Sequence, residues 1–367
     1  MPRTARPETD ARKSSSYIPT LDGWRALSIL AVMAQHDFLH TLSIVTTSWI
    51  FLHGHYGVDI FFAISGILIC SRLLDEEKCY GSISLRRFYI RRAFRILPPV
   101  ILYLLVVALL SSLAIIPRIG TEWFGALFFF RNYTRYFGVS RPLGEWFTGH
   151  FWSLSVEEHF YFLLPGILVF TRKHHRLKVM CCLIVLIAIH LALALQHRSW
   201  ELISFHSDVR LDSLFIPALF AILLSFPSVR SSFRSIGRFW PIVAALIFVL
   251  ITWVPENAAQ ILALAILIPL MILSTVLNPD SRLSRIFELS ALRFVGRISY
   301  SLYLWQMLFF VGKDDHYIVT LGLLQHAPLN YLATFACAIA SYYLLEKPAM
   351  HFGHQLASRL RRTSAAQ

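Results

Sequence analysis

Charged residues are scarce in this 367-residue chain: Asp, Glu, Lys and Arg make up 15% of it, against roughly a quarter of an average soluble domain. With 56% hydrophobic and 14% aromatic residues, it has too little polar side chain for a water-soluble globule and too much apolar side chain for a disordered one. Glycine and proline, 16 of each, are too few for a collagen-like chain. The five cysteines, Cys70, Cys79, Cys181, Cys182 and Cys337, form no Cys-x-x-Cys pair and sit mostly in apolar segments, so they read as packing residues and not as a zinc site or disulfide framework. Residues 1–20 have no apolar core, and the first apolar run contains Arg25 and lacks a small-residue cleavage site, so no cleaved signal peptide is expected. Internal repeats and low-complexity tracts are also missing.

What the chain has is apolar runs of near-membrane length from end to end. Ten candidate spans fall at 21–40, 54–72, 97–116, 151–171, 179–196, 210–227, 239–255, 259–277, 295–312 and 328–345. In a bilayer core about 30 Å thick, unpaired backbone groups cost several kcal/mol each, so every span must be helical, strand-like runs such as Ile60 to Ile64 included. The expected fold is an all-α polytopic membrane protein with about ten transmembrane helices. It divides into a 1–20 tail, a 21–346 membrane domain and a 347–367 tail, both tails cytoplasmic. The charge distribution agrees. The chain has 34 Lys and Arg against 21 Asp and Glu, a formal net charge of +13. With the amino terminus inside, 26 of the 34 basic residues fall in cytoplasmic segments; Arg118, Arg131, Arg135, Arg141, Arg198, Arg210 and Lys313 lie outside and Arg25 within the first span. The excess charge is topology, and no nucleic-acid partner is expected. Thr121 to Phe137, apolar and aromatic, fits this scheme only as a re-entrant or interfacial segment.

An ionisable group inside a span costs roughly 2.5 to 3.5 kcal/mol and needs a partner or a task. Arg25 and His36 differ by only about 20° around the first helix and by about 16 Å along it, so both face one groove, Arg25 nearer the cytoplasm. His36 is placed either to move a proton or to brace a neighbouring helix. Asp59 in Gly57-Val58-Asp59-Ile60-Phe61-Phe62-Ala63-Ile64-Ser65-Gly66 sits at the level of His36, where it can orient an imidazole or pair with an arginine; the two glycines permit close helix approach. Arg92 and Arg95 stand three residues apart on one helix face, able to converge on a polyanion such as phosphate or to serve as ordinary anchors. Glu157 and Glu158, about 100° apart, cannot both face one partner. Arg210 and Asp212 point to nearly opposite sides and each needs a partner elsewhere. Glu346-Lys347-Pro348 is expected to close the last span, the helix ending before the proline.

Together these stretches resemble the acyltransferase 3 family of integral membrane proteins. The resemblance covers nearly the whole chain and is carried by Leu21-Asp22-Gly23-Trp24-Arg25-Ala26 with the Arg-x10-His spacing to His36, by Gly57 to Phe62 with Ser65-Gly66, and by Arg92-Ala93-Phe94-Arg95. Downstream it continues through His150-Phe151-Trp152-Ser153-Leu154-Ser155-Val156-Glu157-Glu158, Arg210-Leu211-Asp212, Gly296-Arg297-Ile298-Ser299-Tyr300-Ser301-Leu302-Tyr303-Leu304-Trp305 and Glu346-Lys347-Pro348. The family commonly has a histidine where Gln306 stands here, which leaves that position only hydrogen bonding. Many relatives append an SGNH-type domain, which is not expected in this chain.

The resemblance implies an enzyme of a bacterial cytoplasmic membrane. It would move an acyl group, most often acetyl, from cytoplasmic acyl-CoA to a hydroxyl of a cell-surface or lipid-linked glycan. No metal or permanently bound cofactor is implied; acyl-CoA is a donor substrate, and the glycan or glycolipid and the membrane lipids are the other partners. Catalytic candidates are His36 as general base with Asp59 or Glu157 fixing its tautomer. Arg25, Arg92 and Arg95 would hold the coenzyme, and His150, Glu158, Arg210, Tyr303 and Gln306 would bind substrate or support the site. The rival expectation is a transporter or flippase of a lipid-linked sugar, whose buried charges would form a proton relay.

Overall fold

The computed structural model describes residues 17–37, 53–134, 143–237, 240–255, 257–310 and 320–364. Residues 38–40, 239 and 311–312 of three expected spans, 135–137 of the interfacial segment, most of the amino-terminal tail, 365–367 of the carboxyl-terminal tail, and Arg135, Arg141 and Lys313 lie outside the described residues. Within them every regular element is helical.

The chain begins with α1 (Pro19–His36), which has proline in its first turn and Asp22 beside the positive helix end. Next come α2 (Tyr56–Tyr80) and α3 (Leu85–Ser112), the latter capped by the Ser84 hydroxyl. Then follow α4 (Glu122–Leu127), α5 (Arg131–Thr134), α6 (Trp146–Gly149), α7 (Phe151–Phe170) and α8 (Arg176–His197). The outer run continues through α9 (Trp200–Ile203), α10 (Ser207–Arg210), α11 (Asp212–Leu223), α12 (Pro227–Ile236), α13 (Trp240–Ile251) and α14 (Ala258–Leu277). Last are α15 (Arg282–Phe287), α16 (Ser290–Arg297), α17 (Ser299–Phe309), α18 (Leu329–Ser341), a π turn at Tyr342–Glu346 and α19 (Lys347–Ser364).

Each of the ten expected spans contains helix, but the elements are unequal. Among the described residues, four helices are long and apolar enough to cross a membrane: Tyr56–Tyr80, Leu85–Ser112, Lys173–His197 and Ala258–Leu277. A fifth crossing is made if Ser207–Leu223 and Pro227–Ser235, bent by 107°, count as one span. The shortfall has physical causes: α1 carries Asp22 and Arg25, α7 carries Glu157 and Glu158, and α17 has only 11 residues. On α3 and α8, Leu105, Leu109, Val185, Leu186 and Ile189 are all exposed. Such faces suit lipid and not water.

The bundle closes around α1 and α2. The glycines act as expected: a Cβ at Gly57 would strike the Ser28 carbonyl of α1, and one at Gly66 the Leu214 carbonyl of α11. Thr121 to Thr134 forms two short helices and no span, and Arg131 there is buried and paired with Glu145 at 3.1 Å. Two expectations need correction. Helix does not end before Pro348: a π turn passes directly into α19, where proline occupies the first turn and no intrahelical N–H is required of it. Nor are the cysteines uniformly packing residues, since Cys70 is buried and Cys337 partly so, while Cys79, Cys181 and Cys182 are exposed.

Candidate active site

One face of α2 is written at helical spacing as Val58, Phe61, Phe62, Ser65, Ile69, Arg72 and Glu76, and all seven line a single slot. From Val58 to Glu76 the slot follows about 27 Å of helix, close to the thickness of a hydrocarbon core. Its other walls are Arg25 of α1, Arg91, Arg92, Arg95 and Ile96 of α3, Ser153, Glu157 and Tyr161 of α7, Tyr300 and Tyr303 of α17, and Met350 and His354 of α19. Its interior is narrow, about 170 Å³.

The end around Arg72 is strongly cationic. Arg25 donates to Asp22 at 3.2 Å, and Arg87 and Arg91 share Glu76 at 2.8 and 3.1 Å. Arg72, Arg92 and Arg95 have no ion-pair partner among the described residues, and Arg92 lies 4.3 Å over the Tyr161 ring. Arg92 and Arg95 therefore converge on one space, as their spacing predicts, joined by Arg72. His354 stands at the same end, on a helix outside the apolar spans. Partial burial, together with the guanidiniums of Arg91, Arg72 and Arg95 and the neighbouring His351, holds its imidazole below the usual histidine range.

Further in, the slot loses its guanidiniums and becomes hydroxyl-rich around the Glu157 carboxylate. Ser65 and Tyr161 each donate to Glu157 at 2.9 Å. Tyr303 shares a 2.7 Å bond with Ser153 and donates to the His150 carbonyl at 3.0 Å. The His150 ring is buried among Tyr103, Phe151 and Tyr303, and both its nitrogens are without a hydrogen-bond partner among the described residues. Ser301 donates to the buried Glu346 at 2.8 Å. Glu158, on the helix face beside Glu157, does not line the slot.

His36 stands beyond Tyr303, outside the slot's lining. Arg25 lines the slot and His36 does not; Tyr303, one turn before Gln306 on α17, marks its limit. His36 Nδ1 lies 3.4 Å from Gln306 Oε1, so Nδ1 donates to the amide oxygen and Nε2 is the nitrogen with a free lone pair. Trp146 meets the imidazole edge-on at 5.8 Å and is itself pinned by donating to the Met307 and Phe310 carbonyls at 3.1 and 3.0 Å. Just beyond, Asp37 accepts from Asn330 at 2.9 Å, tying the end of α1 to α18.

The partner of His36 is thus Gln306. Neither Asp59 nor Glu157 fills that place: Arg210 donates to Asp59 at 2.6 Å, and Glu157 is satisfied by Ser65 and Tyr161. Arg210 finds its expected distant partner, whereas Asp212 turns back locally to the Ser213 amide and hydroxyl. Sequence reasoning missed Arg72, Tyr161, Tyr300, Met350 and His354. The seven-residue step from Ser65 to Arg72 was the available sign for the first; nothing local pointed to the others.

Long apolar helices thus surround an arginine-lined slot, with a hydrogen-bonded histidine beyond Tyr303. The chain belongs to the acyltransferase 3 family: the model of that family, described as an acyltransferase domain, matches residues 18–347. Among curated proteins, it is 31% identical over 364 residues to "Putative O-acetyltransferase SACOL0978" of Staphylococcus aureus (strain COL), covering 92% of this chain and 58% of that protein. It is 30% identical over 367 residues to the peptidoglycan O-acetyltransferase OatA of Listeria monocytogenes (92% and 56%), and 28% identical to the O-acetyltransferase OatA of S. aureus NCTC 8325 (91% and 57%). The chain spans less than three-fifths of the length of these relatives. No solved structure matches it.

Proposed function

We propose that the protein is a membrane-bound O-acyltransferase. In this reading it takes an acyl group, acetyl first, from cytoplasmic acyl-CoA and delivers it to a hydroxyl of a cell-surface or lipid-linked glycan. It sits in a bacterial cytoplasmic membrane with ten crossings, both termini inside and residues 21–346 as the membrane domain. The relatives' names support O-acetyl transfer, and the Listeria protein's name makes peptidoglycan the first acceptor to try.

The observation that carries the reading is the set of three guanidiniums, Arg72, Arg92 and Arg95, facing one slot without an ion-pair partner among the described residues. Guanidiniums inside a lipid-embedded bundle are costly, and a coenzyme's phosphates satisfy them with charge-assisted hydrogen bonds. The phosphates then sit at the arginine end with Arg25 steadying the donor. The narrow, hydroxyl-lined interior accommodates the pantetheine arm and carries the thioester toward Tyr303.

His36 Nε2 takes the proton of the acceptor hydroxyl as its oxygen attacks the thioester carbonyl; the C–S bond breaks, and the sulfur leaves as the CoA thiolate and takes up the proton. General-base assistance of this kind contributes roughly 10² to 10⁴-fold. Gln306 holds the tautomer, Tyr303 and His150 support the junction, and Glu157, with Glu158 beside it, shapes the slot.

Purified protein in lipid nanodiscs, given labelled acetyl-CoA, tests the reading. Release of free CoA only when a glycan acceptor is added supports it. Sugar movement without thioester cleavage supports the transporter instead.

A further inference from the structure

A second cavity, of about 470 Å³, opens beside the first turn of α2, at the far end of the bundle from Arg72. Its walls include Gln35, Tyr56, Trp152, Trp200, Arg210 and Gln260. It abuts the slot: Val58 and Ser153 line the slot, while their chain neighbours Asp59 and Trp152 line the cavity. Phe62 stands at the boundary, its ring edge-on to Trp152 at 6.0 Å.

The two spaces differ in charge. Among the described residues, the one guanidinium lining this cavity, Arg210, is neutralised by Asp59 at 2.6 Å and held 5.5 Å from the Trp200 centroid and 5.8 Å from that of Trp152. Gln260 donates to the Tyr56 hydroxyl at 3.3 Å. Arg210 Nε and Gln35 Oε1 are buried without a hydrogen-bond partner among the described residues. A neutral space with indole walls, one unused donor and one unused acceptor does not suit a polyphosphate. It suits a ligand with an apolar C–H face and a rim of hydroxyls, because polarised C–H groups rest on the negative face of an indole ring while the rim bonds to side-chain amides and guanidinium.

We propose that this cavity is a saccharide subsite, seating one pyranose ring of the acceptor against Trp200 and Trp152 beside the Arg210 guanidinium that lies over both rings, and so presenting the glycan to the end of the donor slot. The proposal deepens the acyltransferase reading and rests on it for the identity of the acceptor.

The test uses the full chain in nanodiscs with tetra-N-acetylchitotetraose, a soluble β-linked N-acetylhexosamine, as probe. Tryptophan fluorescence and equilibrium dialysis report sugar binding, and dialysis of CoA reports the other site. Trp200→Ala is expected to weaken sugar binding about tenfold with CoA affinity unchanged, Trp200→Phe to restore most of it, and Gln260→Ala to weaken it independently. Sugar affinity unchanged in both Trp200→Ala and Gln260→Ala overturns the subsite, as does an equal loss of sugar and CoA binding in Trp200→Phe and Trp200→Ala alike, which marks Trp200 as structural. Sugar binding that depends on Trp200 in a protein showing no acceptor-dependent CoA release upholds the subsite and sinks the acyltransferase reading alone.

Discussion

Arg210 and Asp59 form a buried ion pair at 2.6 Å that joins the start of α2 to the end of α10, with Ser213 adding a 3.2 Å bond to the same carboxylate oxygen. Ser213 lies on α11, the helix that α2 approaches closely at Gly66, so α2 is held to both α10 and α11. Removing one partner leaves an uncompensated charge in a low-dielectric interior, which costs roughly 3 to 5 kcal/mol. Asp59→Ala and Arg210→Ala are each expected to lower the melting temperature strongly, and the double variant to lose less than the sum of the two. Strictly additive losses would show that the pair is not coupled.

At the slot's arginine end, Arg92→Ala and Arg95→Ala should each weaken CoA binding about tenfold or more, since a charge-assisted hydrogen bond contributes roughly 1.5 to 3 kcal/mol. Lysine at either position should recover only part of the loss, having no planar fork. Equilibrium dialysis with CoA checks both statements, and unchanged affinity in the double alanine variant would remove the coenzyme from this end.

His354 gives the donor site a pH dependence. Partial burial beside Arg91, Arg72, Arg95 and His351 keeps its imidazole neutral near pH 7, below the usual histidine value. Bound phosphates reverse that field and favour the imidazolium, so binding takes up a proton. CoA affinity is therefore expected to rise severalfold as pH falls from about 7.5 to 5.5, and His354→Gln to flatten the rise without abolishing binding. A profile identical in wild type and variant would contradict it.

Gln306→Leu deprives His36 Nδ1 of its hydrogen-bond acceptor while keeping the volume near constant. Turnover should fall roughly 10- to 100-fold with CoA affinity unchanged, because Gln306 does not line the donor slot. Gln306→His should retain more activity than Gln306→Leu; equal rates in all three proteins would separate Gln306 from the chemistry.

Much of the scaffold was legible because apolar length alone marks a membrane helix, and the arginine pair was legible because a three-residue step fixes a shared face. The sharp bend after α11 was not read from a continuous apolar run, although Pro227 opening α12 was the local sign. The carboxyl-terminal helix was lost for a related reason: Pro348 reads as a stop, and only the preceding π turn lets the chain enter a new helix that docks on α3 through Gly353 against Phe94. Asp59 and Glu157 are the carboxylates the sequence offers to orient His36, and the structure sets Gln306 against the ring instead. Which side chain meets the ring depends on how α17 lies against α1, a tertiary fact with no local signature.

The most direct measurement is single-turnover transfer from labelled acetyl-CoA to glycan by the nanodisc-embedded protein, wild type against His36→Ala, with CoA affinity determined on the same samples. The account predicts a fall of roughly 10² to 10⁴-fold in transfer rate at unchanged CoA affinity. Transfer at the wild-type rate by His36→Ala would contradict it.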